Sequence, residues 1–541
     1  DWISLVPSAT INYSRSAMKR KIALFVVMLS VLLVLPASLE DDWSRLVKKM
    51  SNLITMIEDN YYQDVDHEEM AFSSIRGMLQ TLDPHSYFLD PRQLMVMQED
   101  YQGKYSGLGI LIQKHDTRLV VISPIEGTPA YRLGIRSGDV ISHINGESTE
   151  NISSYDAMLI LRGEKGTTVE ITINRAGLDK PIHLTIKREE IPLFSVPYAF
   201  LLNDDTGYIF IRNFAATTTQ EFKEKMKTLV GQGMTKLILD MRGNTGGTFA
   251  ESVKLSDEFL PKGKKIVSIR GRDSTFNREF AALSGKQYED IPLVILINQG
   301  TASAPEIVSG AIKDNDRGLI VGEDSWGKGL VQTVFSLADN AAIALTTAKY
   351  YTPSGISIQR DYSSFEDYRY YRPEAPEEER QVGYTSGGRK VLGQGGISPD
   401  YTVTDDFKPL TSSLLLKGAF FGYARNFADR KTPLSKSAVF PGQGNGKTAS
   451  SEQAIVFDGR FSVNDRILDD FKLYLLEEKI DFENGGFVVA VDQIRQWLGR
   501  ELISSVYDDI EVGIRFYMQR DGTVRKALDV MPEAENLLRS P

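Results

Sequence analysis

The segment at 292–332 constrains this chain more than any other. It opens with an uninterrupted aliphatic run, residues 293–297, whose length and composition predict a buried strand. Small residues follow, and then Pro305 and Glu306 stand where an apolar periodic pattern begins, a combination typical of a helix start. The sequence therefore predicts a tight turn between a strand and a helix, with the Ser303 hydroxyl facing a cleft beside unpaired backbone N–H groups.

A lysine flanked by glycines, Lys328, follows Ser303 in the same segment. The chain has no cysteine, and its five histidines all precede residue 191. They are His67, His85, His115, His143 and His183. A nucleophile in residues 191–541 therefore has no histidine base from its own region and cannot be a thiol. A lysine can be the base if desolvation leaves its amine neutral, and serine with lysine is a known variant of the serine-protease arrangement.

Two short segments, NQGTASAPEI (298–307) and GKGLVQ (327–332), resemble the active-site signature of the carboxyl-terminal processing peptidases, also called tail-specific proteases. The resemblance implies that Ser303 is the nucleophile, Lys328 the general base and Gln332 the residue that orients the lysine. The alternative is structural, with Ser303 capping a helix and Lys328 solvated in a loop. The presence of both segments in one stretch favours the catalytic interpretation.

Strands alternate with helices across residues 189–408, which predicts an α/β unit whose site lies at the strand ends. One predicted strand, residues 236–240, runs into the turn Arg-Gly-Asn-Thr-Gly-Gly at 242–247. This turn resembles one of the same family, which usually has proline where this chain has Thr245. That difference affects rigidity more than chemistry, because the donors there are backbone amides. The resemblance implies a serine protease core of crotonase-like architecture.

The resemblance also implies an oxyanion hole made of backbone amides. Its donors would be the N–H of Ala304 and one amide of the glycine pair, with Gly246 preferred and Gly247 as the other candidate. Each such donor is worth roughly 3 kcal/mol in a transition state. Without Ser303, a simple glycine turn closing a βα unit would explain the same residues.

Residues 98–188 change to short alternating strands and turns. The stretch YSGLGI (105–110) resembles the carboxylate-binding loop of PDZ domains, and GIRSGDVI (134–141) resembles a second stretch of that fold. The candidate peptide-binding residues are Gly107, Leu108, Gly109 and Ile110. Glycines let the backbone turn its N–H groups toward a terminal carboxylate, while a strand edge can pair with a peptide. The alternative is a β-rich spacer without a ligand.

The remaining segments complete the predicted organisation. Residues 1–41 form a leader in which 22–39 are uncharged and follow a basic cluster, a pattern typical of a signal peptide or a membrane anchor. Residues 42–97 show helical periodicity and resemble the family's N-terminal helical region. Residues 409–541 form a helical C-terminal extension, for which packing is favoured over dimerisation or capping of the protease. We therefore expect a protein of the cell envelope, exported or membrane-anchored, with the protease outside the cytoplasm.

Composition and charge argue against some classes of function. A formal net charge of −10, with no basic stripe carrying aromatic residues, argues against a nucleic-acid binder. The histidines lack metal-ligand spacing, so no metal and no cofactor is expected. The predicted fold class is therefore multidomain α/β and α+β, with N-terminal helices, a PDZ-like domain, a crotonase-like α/β core and a helical tail.

The predicted function is a serine endopeptidase that cleaves near exposed C-terminal tails of protein substrates, associates with a membrane and can self-associate. Two alternatives remain open. One is a catalytically silent PDZ scaffold that tethers partner C-termini. The other is a different crotonase-like enzyme in which paired amides stabilise a thioester enolate, although the sequence offers no place for a nucleotide moiety.

Overall fold

The structure, a computed structural model, describes residues 41–539 apart from 176, 284–287, 364–367, 369–379, 405, 441–454 and 458–460. By internal contacts the chain divides into two compact units, residues 1–78 and 79–541. The predicted signal peptide or anchor at 22–39 lies outside the described residues. Among the described helices, none combines the length and the apolar character needed to cross a bilayer.

The N-terminal region is helical, as its periodicity predicts. Its elements are α1 (Asp41–Asn60), α2 (His67–Gln80), β1 (Tyr87–Leu89) and α3 (Pro91–Gln102). The α1 side chains Trp43 and Leu53 lie on an exposed apolar stripe. The helical interpretation did not anticipate β1, which pairs with a strand more than 250 residues away in sequence (Phe88 opposite Ile343).

A β-rich domain follows. Its elements are β2 (Lys104–Gly107), β3 (Ile110–His115), β4 (Arg118–Pro124), α4 (Pro129–Arg132), β5 (Val140–Ile144), β6 (Glu147–Ser148), α5 (Ser154–Leu161), β7 (Thr168–Asn174), β8 (Ile182–Lys187) and β9 (Glu189–Pro192). The order β3-β4-β5-β7-β8 makes one antiparallel sheet, while β2 pairs with β9. Alternating apolar residues such as Leu119, Val121 and Ile141 are fully buried, which explains the period of two in this sequence.

The α/β core is built on a second sheet. Its elements are β10 (Tyr198–Leu201), β11 (Thr206–Phe210), α6 (Thr218–Gly231), β12 (Lys236–Asp240), α7 (Phe249–Asp257), β13 (Lys265–Gly271), β14 (Arg278–Ala281), β15 (Leu293–Ile297), α8 (Ala304–Asp314), β16 (Leu319–Gly322), β17 (Leu330–Ser336), β18 (Ala342–Tyr351), β19 (Val382–Tyr384), β20 (Lys390–Leu392) and β21 (Tyr401–Thr402). In the order β10-β11-β12-β15-β16-β21, all neighbours after β10 are parallel. Every residue of β15 is buried, as expected for a parallel strand covered on both faces.

Helices from two distant parts of the chain cover this sheet. The core on one face includes side chains of α6, α7 and α8, such as Phe222, Leu255 and Ile307. The other face is covered from the C-terminal extension, where Val524 and Met531 pack with sheet residues. The extension contains α9 (Pro409–Leu416), α10 (Ala419–Ala428), α11 (Asp465–Glu477), α12 (Asn484–Val489), α13 (Val491–Tyr507), α14 (Ile510–Met518) and α15 (Gly522–Arg539).

An antiparallel sheet of β1, β13, β14, β17 and β18 lies next to the core, whereas β19 and β20 form a separate pair. Its order is β1-β18-β13-β14, with β17 also paired to β18. Because β17 begins at Leu330, two residues after Lys328, this sheet fixes the direction in which the lysine segment leaves the core. The predicted fold class, N-terminal helices followed by a PDZ-like domain, an α/β core and a helical C-terminal region, is confirmed.

Candidate active site

Three loops meet at the carboxyl edge of the parallel sheet. They follow β12, β15 and β16 and contain the glycine turn, Ser303 and Lys328 respectively. The carboxyl ends of neighbouring parallel strands lie at the same edge, which is where α/β sheets place their sites. Hydrogen bonds join the first two loops, since Ala302 N–H donates to Asn244 O at 2.9 Å and Thr301 Oγ1 donates to Met241 O at 2.9 Å.

Ser303 occupies a strained turn immediately before α8. Its φ of 66° and ψ of −112° lie outside the regions that a residue with a side chain normally adopts. Such backbone conformations persist only where surrounding contacts enforce them, and they concentrate at functional sites. The next amide, Ala304 N–H, makes no hydrogen bond within the described part of the chain. The turn therefore places Ser303 beside a free backbone donor at a helix N-terminus.

Glu306 holds the serine loop and the lysine loop together. Its carboxylate accepts four hydrogen bonds: from Ser303 N–H (2.6 Å), Ser325 Oγ (2.5 Å), Gly327 N–H (2.7 Å) and Lys328 N–H (3.0 Å). Burial raises the pKa of this carboxyl, and the donors oppose the shift. From the sequence, Glu306 is predicted only to mark the start of a helix. The Ser-x-x-Glu spacing of a capping box was the available clue to its contact with Ser303.

Lys328 is partly buried. Desolvation lowers the pKa of its amine, while the negative charges of Glu306 and Asp83 act in the opposite direction. In the described residues the amine makes no hydrogen bond or ion pair, including to Ser303. The two backbones are nevertheless bridged, because the Tyr350 hydroxyl lies 2.6 Å from Lys328 O and 3.2 Å from Ser303 O.

Gln332 is positioned differently from the expectation. Its side-chain amide donates to Thr346 Oγ1 at 3.3 Å, and Thr346 Oγ1 in turn lies 3.1 Å from Asp83 Oδ1. The expected hydrogen bond from Gln332 to Lys328 is not among those of the described residues. In this conformation Gln332 is therefore tied to the segment that precedes β1.

That segment also brings a histidine to the site. The His85 ring contacts the Tyr368 hydroxyl, which also accepts from Trp326 Nε1 at 3.2 Å. Burial, followed by the charge of Lys328, lowers the pKa of His85 to about 4, so that the ring is neutral at physiological pH. The sequence interpretation of His85 as a turn residue holds for its backbone, whose N–H donates to Asp83 at 2.8 Å. The sequence interpretation did not predict that His85 lies near Lys328, because no local sequence pattern indicates this contact.

The glycine turn lies against Ser303. A Cβ at Gly246 would be 3.4 Å from Ser303 Oγ, and one at Gly247 would be 2.0 Å from Phe214 O, so that only glycine fits the second position. The amide of Gly246 donates to Asn244 Oδ1 at 2.9 Å. In the part of the chain that the structure describes, the Gly247 amide makes no hydrogen bond. The free backbone donor of the glycine pair is therefore the amide of Gly247, which was the less favoured candidate.

The candidate peptide-binding loop belongs to the β-rich domain. Leu108 is buried in that domain's core, and its carbonyl accepts from Ala130 N–H at 3.0 Å. Gly109 has a φ of 77° and no room for a Cβ, which would meet Thr128 at 2.3 Å. Among the described residues, no hydrogen bond joins residues 107–110 to Ser303 or Lys328. Leu108 and Ala304, the neighbour of Ser303, belong to different hydrophobic clusters.

Comparisons with known proteins agree with this architecture. The sequence model described as Peptidase family S41 matches residues 205–363, that of the PDZ domain matches 120–175, and that of the activating protease CtpB N-terminal domain matches 36–92. These matches define a serine peptidase carrying a PDZ domain.

Relatives of known name define the family more closely. A carboxy-terminal-processing protease of Bartonella bacilliformis is 37% identical over 353 residues, covering 63% of this chain and 81% of that protein. The carboxy-terminal processing protease CtpA of Bacillus subtilis is 34% identical over 313 residues, covering 58% of this chain and 66% of that protein. The solved photosystem II D1 C-terminal processing protease is 28% identical, with a TM-score of 0.37 over 68% of this chain and 89% of that chain. The chain belongs to the carboxy-terminal-processing proteases.

Proposed function

We propose that this protease uses Ser303 as nucleophile and Lys328 as general base, and that it cleaves protein substrates near exposed C-terminal tails. The observation that carries the proposal is the pairing of a strained serine turn with a desolvated lysine through one buried carboxylate, that of Glu306. A lowered lysine pKa increases the neutral fraction that can accept a proton.

The proposed reaction assigns one role to each of these groups. Neutral Lys328 takes the proton of the Ser303 hydroxyl while Oγ attacks the scissile carbonyl. The oxyanion accepts hydrogen bonds from Ala304 N–H and from the glycine turn, where Gly247 N–H is free and Gly246 N–H would have to leave Asn244. Lysine then returns the proton to the departing amine. Water hydrolyses the acyl-enzyme with Lys328 again as base.

The contact between Lys328 and Ser303 forms by rotation of the lysine side chain in this proposal. Both backbone segments are already held by the Glu306 carboxylate and the Tyr350 hydroxyl. Only the four-carbon side chain has to change rotamer, and apo sites commonly tighten their catalytic hydrogen bonds when substrate binds. Gln332 orients Lys328 in this proposal by accepting a hydrogen bond from the lysine amine at Oε1, while its Nε2 donates to Thr346.

Recognition of the tail is assigned to the PDZ domain. Its carboxylate-binding loop contains Gly107, Leu108, Gly109 and Ile110, and the strand that follows, β3, offers an edge to an extended peptide. An unstructured C-terminus held there presents the preceding residues of the substrate to Ser303. Export or membrane anchoring, expected from residues 22–39, would place this activity in the cell envelope.

A probe that reacts covalently with an activated serine tests the nucleophile. We expect a fluorophosphonate to label the native protein at Ser303, as located by peptide mapping, because an activated hydroxyl beside oxyanion donors is what such probes react with. The Ser303→Ala variant is the control and should remain unlabelled and inactive on a disordered tail peptide. Absence of label on native protein would support the silent scaffold or the thioester enzyme instead. Unchanged turnover by Ser303→Ala would end the assignment.

The pH dependence tests the base. Because burial lowers the pKa of Lys328 from 10.5, we expect kcat/KM for a tail peptide to rise as pH increases through that lowered pKa. His85, with a pKa of about 4, stays neutral and adds no inflection above about pH 5. The measurement is a pH–rate profile from about pH 5 to about pH 10. A profile that falls with pH in this range would exclude an amine base.

A further inference from the structure

A buried ionic network joins the turn after β12 to the last helix of the chain. Arg242 Nη2 lies 2.7 Å from Asp240 Oδ2, and Arg242 Nη1 lies 3.1 Å from Asp521 Oδ2 and 3.2 Å from Asp521 Oδ1. Side-chain exposure is 12% for Arg242, 2% for Asp240 and 6% for Asp521. The guanidinium thus contacts the carboxylate at the end of β12 and one from the C-terminal extension.

The Asp521 side chain is held by a hydrogen bond from the helix that it precedes. Its Oδ1 accepts from Val524 N–H at 2.8 Å, which caps the first turn of α15. Behind that cap, α15 packs across the core sheet, with Ala527 and Met531 buried in the same cluster as Ile238 of β12. The position of the carboxylate is therefore set by an apolar interface rather than by a flexible tail.

Arg242 is directly connected to the rest of the glycine turn. The next amide, Gly243 N–H, donates to Asn298 Oδ1 at 2.9 Å. Asn244 accepts from Ala302 N–H and, through its side chain, from Gly246 N–H at 2.9 Å. These hydrogen bonds link the glycine turn to the loop that carries Ser303. A shift of Arg242 would consequently move both that loop and the oxyanion donors.

Asp240 cannot replace the partner from the extension. Its carboxylate already accepts from the Tyr208 hydroxyl at 2.8 Å and from the backbone N–H of Arg242 at 2.9 Å, in addition to the guanidinium. The Nη1 edge of Arg242 faces Asp521, so that loss of this carboxylate would remove one of the anions that lie beside the buried guanidinium. Removing one partner of a buried ion pair is strongly unfavourable for the structure around the remaining charge.

We infer that Asp521 is a positioning residue for peptide hydrolysis, which holds the oxyanion turn in place through Arg242. The inference rests on the proposed roles of Ser303 and of the glycine turn. It assigns part of the active-site scaffold to residue 521, well outside residues 205–363, which match the peptidase family. The C-terminal extension is then a component of the catalytic unit.

The test compares Asp521→Asn and Asp521→Ala with Asp529→Asn in the full chain. Asparagine keeps a helix-capping oxygen and removes the charge, whereas alanine removes both. Asp529 is exposed on the same helix and serves as the matched control. Cleavage of a disordered tail peptide is measured well below the unfolding temperature, with active sites counted by complete labelling of Ser303 with the fluorophosphonate.

We expect kcat per labelled site to fall about 10-fold in Asp521→Asn and further in Asp521→Ala, with KM within about two-fold of the parent, because an oxyanion contact strengthens only in the transition state. Asp529→Asn should match the parent in both constants. An unchanged kcat per labelled site in Asp521→Asn, or a raised KM with unchanged kcat, would overturn the inference even if Asp521→Ala fails to fold. Failure of the parent to be labelled at Ser303 would instead refute the proposed function.

Discussion

Replacing Lys328 with methionine is expected to lower kcat/KM for a tail peptide by roughly 10³-fold or more, the range associated with loss of a general base. The same change should raise stability at neutral pH, because desolvation already opposes the charged amine and methionine fills the site without a charge. The measurements are steady-state kinetics and thermal unfolding of the same preparations.

The stability difference between Lys328→Met and the parent depends on pH. The pKa of Lys328 is lower in the folded chain than in the unfolded chain, so the unfolded chain binds more protons between the two values. Parent stability should therefore rise with pH across that interval, and the advantage of Lys328→Met should shrink as pH approaches 10.5. Lys349→Met, on the exposed face of the neighbouring strand β18, is the control and should leave activity unchanged. A fully active Lys328→Met protein would contradict an amine base.

Glu306→Gln is expected to reduce kcat/KM by roughly 10²-fold or more and to destabilise the fold by about 2–4 kcal/mol, since a buried network loses one of its two acceptor oxygens. The carboxylate accepts four hydrogen bonds and donates none. A glutamine of the same size would direct amide hydrogens at backbone N–H groups that are themselves donors. The serine loop and the lysine loop would then separate.

The readout for Glu306→Gln combines activity with probe labelling of the folded protein. Slower labelling of Ser303 is expected together with the kinetic loss, because the turn that holds the serine φ at 66° depends on this carboxylate. Glu224→Gln, an exposed change on α6, is the matched control and should behave as the parent does. Parent-like stability and labelling in Glu306→Gln would show that the four hydrogen bonds do not position the loops.

Much of the site was predictable because it is local in sequence. A buried strand, small residues and a proline at the first helical turn are enough to place Ser303 between β15 and α8. The glycine turn after β12 is equally local, and the rule that sites lie at the carboxyl edge of parallel strands brings the two together. The absence of cysteine and of histidines after residue 191 left a lysine as the local base.

Other parts of the site depend on contacts between distant segments. His85 and Asp83 are far from Lys328 in sequence, and β1 brings them to the site by pairing with β18. The partner of Gln332 is Thr346, on the adjoining strand, and hydrogen bonding by Asn244 determines which glycine amide is free. No periodic pattern or motif in the sequence predicts these contacts. Each of them depends on which hydrogen-bonding groups the folded chain brings within reach.

The sequence by itself determined the order of strand, turn and helix around Ser303 and the residue types available for catalysis, because backbone propensities and side-chain chemistry act over a few neighbouring positions. Only the tertiary structure decided that Glu306 would join two loops, that Asp521 would reach Arg242 and that α15 would cover the sheet. Burial is the physical reason, since it makes each unpaired charge or donor costly and so selects partners that local sequence does not specify.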